Sequence, residues 1–180
     1  MTRVAQWKPT FSWITDQLAV GGSFDHRHVD RLAGEHGIEA VVDLRLEARD
    51  DEHLLRSHGI VLLHLPTEDT CAIESTHLSH GVRFATRWID AGRRVLIHCE
   101  HGIGRSATLA LCVLVAHGAT PLDALALAKK RRAVISPSPA QFECWVRWLE
   151  DYRRSRVVAW SIPTFEAFER IAYRSFPSAE

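Results

Sequence analysis

Four short stretches of the chain are dominated by apolar side chains: Gln17–Val20, Ala40–Leu44, Ile60–Leu65 and Val95–Ile97. The last three are too apolar throughout for a sheet with one wetted face, so they predict strands of a buried central sheet. Between them the apolar positions recur at helical spacing, over Val29–His36, Asp50–His58 and about Thr76–Ala91. Strands and helices that alternate in this way predict βαβ units, with helices covering both faces of a parallel sheet.

After the fourth strand the pattern becomes wholly helical. Arg105–His117 is apolar all round and stops at Gly118, which predicts a helix buried in the core. Thr120-Pro121-Leu122-Asp123 supplies an N-cap, a proline at the first helical position and an acid in the first turn. Ser138-Pro139-Ala140-Gln141 has capping-box spacing, and Phe142, Trp145, Val146, Leu149 and Tyr152 follow on one face. Phe165, Phe168 and Ala172 predict a last amphipathic helix within Pro163–Ser175. The expected fold is an α/β single domain over 1–180: a central, mostly parallel buried sheet flanked by helices, with a loop between a central strand and a buried helix. Its core runs from about 13 to 153, with a C-terminal helical extension at about 160–176.

Composition sharpens this only in places. With 46% hydrophobic and 24% charged residues, the 180-residue chain has the make-up of a soluble globular domain. Its 22 basic and 22 acidic residues balance, so a dedicated nucleic-acid binder is not expected. Only three of the basic residues are lysines; the other 19 are arginines, which grip phosphate or carboxylate with two parallel donors. No signal-peptide pattern and no membrane-spanning run is seen. Cys71, Cys99, Cys112 and Cys144 are irregularly spaced, unlike a disulfide framework or a zinc site, and a cytoplasmic setting is expected.

The chemistry is concentrated in Val95-Leu96-Ile97-His98-Cys99-Glu100-His101-Gly102-Ile103-Gly104-Arg105-Ser106. Here a buried strand runs through a glycine-containing loop into the core helix. Loop amides and the first helical turn have no carbonyl partners of their own, so they suit an oxyanion such as phosphate. Gly102 and Gly104 allow a tight curl. Arg105 is suited to clamp two phosphate oxygens. A cysteine at a helix N-terminus beside a cation is where a thiolate forms, so Cys99 is the expected nucleophile. Ser106 is positioned to assist the departing thiolate, and His98 to orient the cysteine. The phosphate loop thus comprises Cys99, Glu100, His101, Gly102, Ile103, Gly104 and Arg105. A bare Cys-x5-Arg arises by chance about 0.4 times in such a chain, whereas the extended string is expected on the order of 10⁻⁵ times.

That string, His-Cys-x-x-Gly-x-x-Arg-Ser, resembles the signature of the cysteine-dependent protein tyrosine phosphatase superfamily. Trp13–Gly22, the Val41–Arg45 strand, Leu65-Pro66 and the Arg132–Phe142 segment are similar to its compact dual-specificity branch. The resemblance implies a metal-independent phosphomonoester hydrolase with no cofactor. It also implies a general acid upstream, for which Asp69, 30 positions before Cys99, is the match and Glu68 the competitor. The implied partner is a phosphorylated protein, phosphotyrosine first. A phosphoinositide or other small phosphate ester is the alternative; a silent phosphate-binding module and a sulfurtransferase stand behind them.

Other features carry plainer readings. Gln141 is read first as a capping residue and second as a supporting, water-positioning glutamine. Lys129–Arg132 complement a helix C-terminus. Cys112 and Cys144 are core filler, the Trp145 and Trp148 pair is packing, and His98, Cys99 and His101 lack the spacing of a metal site. Cys71 is a candidate partner for an oxidised Cys99.

Overall fold

A computed structural model describes residues 7–174. Five strands form one sheet: β1 (Phe11–Trp13), β2 (Leu18–Gly21), β3 (Ile38–Arg45), β4 (Val61–Thr67) and β5 (Arg94–His98), in the order β1-β2-β5-β3-β4. Only β1 runs antiparallel to its neighbour; the other pairs are parallel. The expected α/β class and mostly parallel sheet are therefore what the chain adopts. β1 was absent from the sequence reading, because three residues beside a polar stretch carry too little periodicity to register.

Among the described residues, seven α-helices follow the predicted positions: α1 (Val29–Gly34), α2 (Glu52–Ser57), α3 (Ser75–Asp90), α4 (Arg105–Ala116), α5 (Pro121–Arg131), α6 (Pro139–Arg154) and α7 (Phe165–Ala172). A 3-10 turn at His26–His28 precedes α1. Thr120, Ser138 and Thr164 each cap a helix by accepting a hydrogen bond from the backbone N–H three residues on. Of the last predicted segment, Ser175 lies outside the described residues.

Two apolar layers cover the sheet. The larger joins the inner face to α3–α7, and the smaller packs α1, α2 and Phe11 against Val41 and Leu96. Burial of β5 follows from its central place, with neighbours on both edges and helices on both faces. β4 departs from expectation. As an edge strand it leaves Val61 exposed and Leu62, Leu63 and His64 half-buried, although its composition reads as a fully buried strand. Pro66 is tolerated there because an edge strand has donors that need no ladder partner.

α4 is the axis of the molecule: every side chain from Arg105 to Val115 is buried. Since β5 enters it through only six residues, the loop between them sits where a central strand ends and a helix begins. α7 docks where Phe168 meets Phe142, with ring centroids 4.7 Å apart.

Candidate active site

The loop from Cys99 to Gly104 holds its shape through its carbonyls. Cys99 O lies 3.2 Å from His98 Nδ1, Glu100 O accepts from Ser23 N, and Ile103 O accepts from Ser136 N. Arg132 donates Nη2 to His101 O and Nε to Gly102 O, at 3.0 and 2.8 Å. Gly104 O accepts from the amide and hydroxyl of Thr108. All six carbonyls are thus engaged outside the curl. Across each planar peptide the N–H opposes the C=O, so the amides face inward. Gly102 N donates to Cys99 Sγ at 3.3 Å, while the amides of Glu100, His101, Ile103 and Gly104 have no protein acceptor among the described residues.

The glycines are steric requirements of this curl. Gly102 has φ +65°, and a Cβ there would lie 2.4 Å from the Gly21 carbonyl carbon. A Cβ on Gly104 would strike Gln141 Oε1, also at 2.4 Å. Cys99 is buried, and its sulfur lies 3.3 Å from Ser106 Oγ.

Arg105 is fully buried, yet its guanidinium is only partly satisfied. Nη1 donates to Glu47 Oε2 and Thr67 O, and Nη2 to Glu47 Oε1. Nε has no hydrogen-bond partner, although Asp69 Oδ1 lies 3.2 Å away. Nε and the second hydrogen of Nη2 therefore form an open edge able to receive two oxygens of one anion. Glu47, hydrogen-bonded to Arg105, has its carboxyl pulled down to about 2. The sequence reading missed Glu47. It lies in a charged loop 58 positions from Arg105, with no local spacing to mark it.

Asp69 and Glu68 differ in place. Asp69 lines a recess of about 170 Å³ together with Cys99, His101, Gly104, Ser138 and Gln141; Glu68 is exposed and does not. The turn that carries Asp69 is closed by Thr70, at φ +61°, whose carbonyl accepts from Ser138 Oγ. A β-branched residue in that region is strained and is retained only where its surroundings hold it.

Gln141 forms the cap. Its Oε1 accepts from Ser138 N as the capping box requires, the residue lines the recess, and its Nε2 is buried without a hydrogen-bond partner. Cys71 is exposed, and all four cysteines are free thiols. Cys144 is buried as expected, but its sulfur also accepts from Ile73 N and donates to Gln141 O, so it ties the segment after Asp69 to α6. The basic run needs correction. Lys129 is buried and donates to Ile135 O and Ala172 O, beyond its own helix, because the chain folds back over the end of α5.

Beneath the loop lies a second ionic cluster. His98 Nε2 is 2.6 Å from Asp50 Oδ2, and Arg45 bonds Asp43 twice and Asp50 once. Burial alone would raise the Asp50 carboxyl, but the His98 hydrogen bond and the Arg45 charge outweigh it and hold Asp50 below its ordinary value. Asp43, Asp50 and His98 are close enough to share a cation. The Arg45 guanidinium already supplies that charge and takes up their oxygens.

Residues 22–154 match the family described as dual specificity phosphatase, catalytic domain. Mouse dual specificity protein phosphatase 2 is 40% identical over 76 residues, 41% of this chain and 24% of the relative. Rat phosphatidylglycerophosphatase and protein-tyrosine phosphatase 1 is 34% identical over 87 residues, 47% of this chain and 45% of the relative. The matches thus span less than half the length of either protein. In fold, the chain resembles PTPMT1 solved in complex with PI(5)P, with TM-score 0.76 and 23% identity over 82% of this chain and 100% of that one.

Proposed function

This chain belongs to the dual specificity phosphatase catalytic-domain family, and from that premise we propose that it hydrolyses phosphomonoesters through a phosphocysteine at Cys99. The observation that carries the reading is the curl of six engaged carbonyls around one sulfur, with the open edge of Arg105 beside it. Inward amides and that edge receive the three non-bridging phosphate oxygens and stabilise the charge that spreads over them in the transition state. Cys99 Sγ attacks phosphorus in line, the P–O ester bond breaks, and Asp69 protonates the departing oxygen. Water then attacks the phosphocysteine, Asp69 takes its proton, and the P–S bond breaks. Ser106, within reach of the sulfur, donates to the departing thiolate.

Asp69 is favoured over Glu68 because it shares the recess with Cys99. Gln141 Nε2, buried and unpartnered, is suited to hold the attacking water or a phosphate oxygen. His98 orients the cysteine peptide, and the free thiols suit a reducing cytoplasm. No step requires a metal or a cofactor.

The recess has room for a phosphoryl group and its first atoms, so the body of the substrate rests outside it. A phosphotyrosine-bearing protein is the first reading. A phosphoinositide or related phospholipid ester is the second, favoured by the PI(5)P bound to PTPMT1, a fold relative.

Hydrolysis of an aryl phosphate in the presence of a chelator tests the chemistry. Cys99→Ser should abolish turnover, and Asp69→Ala should lower kcat by about 10²–10⁴ while Glu68→Ala does not. Turnover surviving Cys99→Ser would end the proposal. Phosphotyrosine peptides and phosphoinositides assayed side by side would rank the two substrate readings.

A further inference from the structure

The six loop carbonyls are not held in equal ways. Two are engaged by side chains within four residues and two by the backbone amides of Ser23 and Ser136; the other two, consecutive ones, are held by one side chain. Arg132, at the C-cap of α5, donates Nη2 to His101 O and Nε to Gly102 O. Its remaining arm, Nη1, reaches Ser12 Oγ in β1 at 3.3 Å. One planar guanidinium therefore spans the loop, the end of α5 and the outermost strand.

The consequence follows from peptide planarity. Fixing His101 O outward fixes Gly102 N–H inward, and that amide does point at Cys99 Sγ. Fixing Gly102 O outward likewise turns Ile103 N–H toward the centre. Among the described residues no other donor reaches these two carbonyls. A lysine could match the charge but not the two-pronged geometry.

We propose that Arg132 is a positioning residue that sets two of the inward amides of the oxyanion cradle, acting from outside the pocket without touching substrate. This rests on the phosphatase reading and adds to it a residue whose basic run otherwise reads as a helix terminus.

The test separates the two claims by measuring oxyanion binding without turnover. In the Cys99→Ser protein, titrate orthophosphate by calorimetry in three backgrounds: Arg132 native, Arg132→Lys and Arg132→Ala. Loss of two charge-assisted hydrogen bonds predicts binding weakened by about tenfold or more in Arg132→Ala. Arg132→Lys should restore little of it, and millimolar guanidinium ion should restore part of it in Arg132→Ala. Arg131→Ala, an exposed change one residue away, should bind as the parent does. Phosphate affinity unchanged in both Arg132 variants would overturn the proposal and leave the phosphatase reading standing. Weakened binding that guanidinium does not rescue, tracking a lowered Tm, would overturn it as well, since that is the mark of a structural role alone. If Arg132→Ala does not fold, Arg132→Lys carries the comparison. A parent that binds no phosphate would overturn both.

Discussion

Arg45 and Arg105 are both buried, both end in carboxylates, and both lie at the C-terminal edge of the sheet, yet they do opposite things. Every guanidinium nitrogen of Arg45 has a partner: Asp43, Asp50 and, more distantly, Glu100 take four of its five donors. Arg105 is held on one edge by Glu47 and Thr67; on the other, Nε makes no hydrogen bond and faces only Asp69 Oδ1, 3.2 Å away, beside an Nη2 hydrogen with no acceptor among the described residues. A buried cation with every nitrogen engaged stabilises structure; one that keeps an unbonded nitrogen can bind an anion. The difference lies in partner count, which residue type and burial do not reveal.

Substitutions at the two arginines should therefore part company. Arg45→Met leaves Asp43 and Asp50 buried with their main counter-charge gone. It should cost about 3–5 kcal/mol of stability, seen in thermal unfolding as a Tm lower by roughly 10 °C for a chain of this size. Arg105→Lys should fold with a smaller change in Tm but lose about 10²–10³ in kcat/KM on an aryl phosphate, since one ammonium cannot serve both edges. If Arg45→Met left stability intact, or Arg105→Lys left turnover intact, the contrast would fail.

A smaller effect is expected at Glu47. Glu47→Gln keeps the shape but loses the charge that orients Arg105, and should lower kcat/KM by about tenfold. The pH dependence sharpens this. The Glu47 carboxyl falls from an ordinary 4.5 to about 2 in the folded protein, so its pairing with Arg105 is fully present above about pH 4.5 and is lost as pH falls toward 2. The activity ratio of native protein to Glu47→Gln should accordingly stay constant from pH 5 to pH 7. A carboxyl resonance of Glu47 that titrates near its ordinary value by NMR would contradict the bidentate pair.

Much of this was legible beforehand, and the exceptions have a common cause. The strand-loop-helix that carries Cys99 and Arg105 could be read because its parts are neighbours in sequence, and the cap of α6 because Ser138 and Gln141 are three residues apart. Glu47, Arg132 and Thr67 escaped because their partners lie 58, 30 and 38 positions away. The exposure of β4 escaped for a related reason: whether an apolar strand is central or at an edge depends on which strands flank it, not on its own residues.

Local order along the chain thus determined most of the elements and the curl that places Cys99 at the head of a buried helix, since these rest on periodicity, caps and the backbone freedom of two glycines. Tertiary structure alone decided which charges meet. It closed one arginine and left the other open, lowered Asp69 into the recess beside the sulfur, and brought Arg132 across to the back of the loop. Hydrogen bonds between distant segments are set by how helices pack on a sheet, and no spacing along the chain encodes that.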